Sequence, residues 1–150
     1  MRRMTLMGIG CVLAVMVATL ASAAVAPRGP KDMKKDASHV VVGTVQKVFM
    51  HQEVVKEFGG AEARTTYISQ IKIESVEKGA GVSKDDVVYV KTWKHKWQGP
   101  GLPPPGNTGH WHVPKKGERV QVYYSSLKGL NHVLLQSGMK AMPKTKAPVG

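Results

Sequence analysis

Residues 65–79 read TTYISQIKIESVEKG. Along an extended backbone Tyr67, Ile71 and Ile73 point one way, and Gln70, Lys72 and Glu74 point the other, because successive side chains of a strand leave on opposite faces. A long strand with one apolar and one wet face belongs to an antiparallel sheet that packs on one side only. After residue 26 no stretch carries an apolar stripe at helical spacing, so the chain is predicted to be built from strands.

Upstream, HVVVGTVQKVF (His39–Phe49) is rich in β-branched residues and predicts a first strand. Strict alternation puts Val41, Gly43, Val45 and Phe49 on one face and Val40, Val42, Thr44, Gln46 and Val48 on the other. Gly43 in mid-strand predicts a bend or bulge. Residues 51–64, HQEVVKEFGGAEAR, read as a polar connection turning at Gly59-Gly60. Downstream, KGAGVSKDD is a turn region and VVYVKTW (Val87–Trp93) a third strand. ERVQVYYSSL (Glu118–Leu127) is a fourth, and HVLLQSG (His132–Gly138) a fifth after a turn at KGLN. The charged run KDMKKDA and the tail MKAMPK could carry a helical turn at most. The expected fold is all-β: a five-stranded, OB-fold-like Greek-key barrel with a long Pro/Gly-rich loop between strands 3 and 4. Closure removes the free edges that aggregate. A small immunoglobulin-like sandwich is the alternative, but it wants about seven strands and often a core Trp. Here Trp93, Trp97 and Trp111 lie in or beside the loop.

The succession ASHVVVGTVQKV, YISQIKIESVEKGAG, KDDVVYVKT, KKGERVQVYY and HVLLQSG resembles the netrin-module/TIMP-like OB-fold superfamily. Its members open on an A-D-V-V-x-x-G-x-V strand, continue with Y-x-x-x-V-x-x-V-x-K-G, and later carry G-x-x-Y-L-V. The resemblance spans most of residues 38–138 and implies a barrel. TIMPs inhibit metalloproteases by presenting an N-terminal cysteine to the catalytic zinc, and this chain departs there. Its only cysteine is Cys11, inside the apolar N-terminal run, so that mechanism is not implied. The likeness is to a cysteine-free, bacterial-type relative.

Arg2 and Arg3 precede an apolar run that ends in small residues, with A-x-A patterns at residues 21–23 and 24–26. Residues 1–26 are therefore expected to be a signal peptide cleaved after Ala23 or Ala26; a retained anchor is the alternative, since about 20 apolar residues can span a bilayer. Cys11 precedes most of the apolar run, which disfavours lipidation. Residues 27–37 are expected to be a flexible leader, 38–142 the domain and 143–150 a disordered tail. The processed chain is expected to be exported, periplasmic or secreted, without a transmembrane segment or a disulfide.

The chain carries 22 Lys+Arg against 10 Asp+Glu, so loss of Arg2 and Arg3 leaves a charge of about +10. Such a balance fits an anionic polysaccharide, another anionic envelope component or an acidic protein partner; export disfavours nucleic acid. Most of the cations are Lys, and a solvated surface explains many of them.

The loop at 94–117 contains TWKHKWQGPGLPPPG and GNTGHWHVPKKGE. Its prolines and glycines exclude the helix that an OB-fold usually carries there, and unstructured loops of this length are uncommon and often functional. Three chemistries compete. Trp93, His95 and Trp97 would align on one face of an extended third strand, with Lys94 and Lys96 on the other. With Trp111, Lys115 and Lys116 they would make a stacking and charge surface for sugars or anions. His110 and His112 would hold Zn or Cu as an H-x-H pair, with His95 available to close the set and Met139 or Met142 to aid it. Alternatively, the Trp and His side chains cover the barrel end. No G-x-S-x-G, H-E-x-x-H or phosphate-cradling glycine loop is present, and Asp85-Asp86 reads as turn chemistry. A non-enzymatic protein without a cofactor is expected.

Overall fold

The computed structural model describes residues 28–56, 61–102 and 109–143; the expected signal segment, Gly59-Gly60, the proline run at 103–105 and residues 144–150 lie outside them. A short helix, α1 (Pro30–Asp36), precedes six strands: β1 (His39–Val55), β2 (Glu62–Lys78), β3 (Val87–Trp97), β4 (Arg119–Leu127), β5 (Leu130–Val133) and β6 (Met139–Ala141). The sheet runs β1-β2-β3-β5-β4-β6, and β1 also pairs with β4. Five strands therefore close on themselves. All their pairings are antiparallel except β3 with β5. This is a closed five-stranded mixed barrel, consistent with an OB-fold-like architecture in general. Among the described residues no helix is long and apolar enough to cross a membrane.

The interior follows the alternation of β2. Ile71 and Ile73 meet Val41, Val45, Val88, Val90, Val120, Val122, Tyr124, Val133 and Met139, all buried. The register between β1 and β2 shifts three times: at Val40/Val41 and Val42/Gly43 the extra residue is in β2, and only at Val45/Lys47 is it in β1, at Gln46. This third shift reverses the faces of β1, so Val48 packs on the core and Phe49, expected beside Val45, is exposed. An extra residue in one strand has this effect on everything beyond it.

Three elements differ from expectation. The polar connection at 51–64 is mostly sheet: β1 and β2 stay paired from Met50↔Tyr67 to Val55↔Glu62. They form an arm that outruns β4, whose pairing with β1 stops at Thr44↔Arg119. The fifth strand is shorter, and Gly138 N–H turns back to the Leu134 carbonyl. That turn brings Met139 into the core and lets MKA pair with β4.

The expected leader contains α1. Pro30 starts it, Asp32 lies in its first turn, and Lys34 and Lys35 lie in its last, the polarity a helix dipole favours. Met33 is buried with Ala37, Val40 and Tyr123 in a second cluster on the outside of the β1–β4 seam. Seven residues are too few for their periodicity to register in the sequence. Lys78 caps the end: its Nζ donates to the carbonyls of Lys34, Lys35 and Ala37 at 2.7, 3.1 and 2.6 Å. Lys78→Met is expected to cost about 1–2 kcal/mol and to make residues 30–37 exchange their amide hydrogens first. Urea unfolding and hydrogen exchange check this.

Candidate functional site

Because Val88 and Val90 face the core, Tyr89, Lys91, Trp93, His95 and Trp97 leave β3 outward. The pairing aligns them with Gln70, Ile68, Thr66, Arg64 and Glu62 of β2. Those residues align in turn with Lys47, Phe49, His51, Glu53 and Val55 of β1. One outer face thus carries Lys47 and Tyr89 in one row, Phe49 and Lys91 in the next, His51 and Trp93 in the third, and Arg64 and His95 in the fourth. Phe49 and Tyr89 are both about half exposed, at 53% and 51%. The expected extension of β3 is present, with Trp93, His95 and Trp97 on one side and Lys94 and Lys96 on the other.

Trp93 is half-buried among rings and a guanidinium. The His95 ring lies 4.6 Å from it, the His110 ring meets it edge-on at 5.9 Å, and the Arg64 guanidinium stands 5.9 Å from its centroid. Arg64 Nε donates to His95 Nε2 at 2.8 Å, which leaves the ring proton on Nδ1, facing the buried Glu62 carboxylate. Arg64 also lies 3.6 Å from Glu53. Trp97 packs toward Gly99 and Ala61; its indole N–H is buried and has no hydrogen-bond partner among the described residues. Trp93 and Trp97 are half-buried, and Trp111, 50% exposed, is the freest of the three indoles.

The second half of the loop crosses the barrel end. Its start is held to β3: His110 N–H donates to the Trp93 carbonyl at 2.8 Å. Its end is held to β1: Gly117 N–H donates to the Val45 carbonyl at 2.7 Å. Between these anchors His110 and Pro114 are buried. Trp93 N–H donates to His110 Nδ1 at 3.1 Å, and His110 Nε2–H donates to the Val133 carbonyl at 3.0 Å. β5 ends at Val133, and His110 takes over its role as neighbour to β3. Burial pushes the His110 pKa below the usual imidazole range.

This geometry bears on the metal expectation for His110 and His112. The two residues do not lie on a strand: the chain bends at Trp111, and the two rings meet different partners. Both His110 nitrogens face backbone groups, and His112 Nε2 lies 2.8 Å from Glu118 Oε2. Met139 is in the core. Among the described residues no group of three His, Cys, Asp or Glu side chains is placed to hold a metal ion. Lys115 and Lys116 are exposed in the turn before β4, where Lys115 N–H donates to Glu118 Oε2 at 3.2 Å. That turn sits beside Val45 and away from Trp93, so the expected loop residues divide between two places. Asp86 accepts from Ser83 N–H at 2.7 Å, and Asp85 adopts a φ of 71°, as turn residues do.

Sequence reasoning missed Lys47, Phe49, Arg64, Lys91 and Tyr89 as members of one face. Tyr89 and Lys91 alternate visibly with Val88 and Val90, but Lys47 and Phe49 reach this face only through the Val45/Lys47 register shift. The chain matches no family model, and no curated protein matches it in sequence.

Proposed function

We propose that this is an exported, non-catalytic binding module whose outer β1–β2–β3 face takes an anionic carbohydrate polymer. The observation that carries the reading is the alternation of exposed rings with cations in successive rows of one sheet face: Tyr89 and Lys47 on either side of Gln70, then Lys91 and Phe49 on either side of Ile68. Rings cover the apolar faces of sugars, and ammonium groups at strand spacing meet carboxylates or sulfates along a chain. Barrels of this architecture bind oligosaccharides and oligonucleotides on the same face. The basic, apolar and small-residue succession of residues 1–26 supports export, and the excess of cations supports a polyanion. The strand motifs that resemble netrin-module/TIMP-like domains support a place among them by architecture, without their cysteine chemistry. Trp111 with Lys115 and Lys116 would extend the contact at the barrel end.

Heparin serves as a sulfated probe and dextran as a neutral one. Heparin is expected to bind with an affinity that falls as salt rises, because each neutralised anion releases a counterion. Lys47→Glu with Lys91→Glu should weaken binding at least tenfold, and Tyr89→Ala should weaken it by several-fold, with unchanged thermal stability. Equal binding by wild type and the double variant would place the ligand elsewhere.

A further inference from the structure

Among the described residues, β1 has one bare edge beyond Val45. Its pairing with β4 ends at Thr44, Val45 bonds to Glu118 and Gly117, and no described strand pairs with residues 46–55 on the side away from β2. Which groups face out follows from the hydrogen bonds. Trp93 turns its N–H and carbonyl away from β2, onto His110, and Gln98 N–H turns toward Ala61. In an antiparallel ladder this makes Thr66, opposite Trp93, turn both its groups toward β1. His51 answers it, and alternation leaves the N–H and carbonyl groups of Val48, Met50, Gln52 and Val54 pointing outward. Soluble proteins blunt such edges with proline, lysines or short strands. Residues 46–55, QKVFMHQEVV, hold no proline and one lysine. Phe49, Met50 and Val54 are exposed along them, Met50 at 68%.

We propose that this edge pairs with the same edge of a second copy, antiparallel, about a two-fold axis at Met50. The charges select the register. Lys47 and Glu53 lie on the same face of β1, three residues to either side of Met50. With Met50 opposite its own copy, Lys47 of each chain faces Glu53 of the other, and Val48 faces Gln52. The outward groups of Val48, Met50 and Gln52 then exchange about six backbone hydrogen bonds. Phe49 lies opposite His51, and opposite charges meet at cross-strand distance. A two-fold contact needs a surface complementary to itself, and the order Lys47, Met50, Glu53 is one. Opposite residues in a sheet share a face, so the two outer faces join into one surface across β3-β2-β1-β1-β2-β3. A polymer long enough to cross the seam would engage both copies and gain avidity.

Sedimentation of the purified protein is expected to show a concentration-dependent dimer. Lys47→Glu or Glu53→Lys alone sets like charges against each other twice per dimer and should raise the dissociation constant about tenfold or more. The double variant K47E/E53K restores the opposition and should restore the dimer. In a Cys11→Ser background, mixing Lys47→Cys protein with Glu53→Cys protein should give a disulfide-linked dimer under mild oxidation, and neither alone should. A monomer at every concentration overturns the proposal. So does a dimer indifferent to both charge reversals, because its interface must then lie elsewhere.

Discussion

His110→Ala is expected to lower the unfolding free energy by about 3–5 kcal/mol, a large share of the total for a domain of this size. The substitution leaves the Trp93 N–H and the Val133 carbonyl without the partners they have now, at 3.1 and 3.0 Å, and each unsatisfied buried group costs about 1–3 kcal/mol. It also removes the edge-on ring against Trp93. Asparagine in its place offers a shorter acceptor and donor and should recover part of the loss. The pH dependence separates this role from simple packing. Burial holds the pKa of folded His110 below 6.5, while the unfolded chain titrates near that value. Above pH 6.5 neither state binds the proton. As the pH falls through 6.5 the unfolded state takes it up and the folded state does not. Stability therefore declines by up to about 1.4 kcal/mol per pH unit until the depressed folded value is reached. Urea unfolding at several pH values between 7.5 and 5 should show this slope in wild type and a shallower one in His110→Asn. Equal slopes would mean that His110 takes up its proton without loss of the fold.

That result would also decide how the histidine pair should be read. The sequence GHWHV invites a metal because H-x-H on a strand aims two rings one way, and that inference assumes a strand. The local chain is instead a bridge at Gly109 followed by a crossing of the barrel end. The crossing depends on where β5 stops, and no local pattern carries that information. The barrel itself was legible because its causes are local: alternation in β2, the β-branched run in β1, and turns rich in Gly, Asp and Lys. The arm was not legible, since His51, Gln52 and Glu53 are polar and a polar strand looks like a loop until its partner is known. The binding face was legible in half. Tyr89, Lys91, Trp93 and His95 alternate on β3 in plain view, but their neighbours on β1 are set by a one-residue register shift. A one-residue slip exchanges the two faces of a strand, so a reading that carries strict alternation past Val45 puts Phe49 in the core and Lys47 on the wrong side.

The same sensitivity makes Gly43→Ala the second large effect, expected to cost about 3–4 kcal/mol and to lower the unfolding midpoint by 10 °C or more, at roughly 4–8 °C per kcal/mol. Gly43 is buried at the seam, paired with Ile73 on one side and Val120 on the other. Its backbone is not left-handed, so the cost is not one of φ. A Cβ there would fall on the Lys72 carbonyl oxygen, 2.8 Å from Ile71 Cγ2 and 3.0 Å from the Lys72 carbonyl carbon. Backbone held in a ladder on both sides cannot give way, so β1 must leave β2 or β4. Gly81→Ala is the matched control: its φ is 78° and nothing lies within 4 Å of the added carbon, so only conformational strain of about 1 kcal/mol applies. A seam that resists should make the first loss at least twice the second in parallel urea titrations. Equal losses would mean that β1 slides at Gly43. The strand that sets the outward row of Lys47 and Phe49, and presents Met50 at the bare edge, would then be adjustable where the barrel closes.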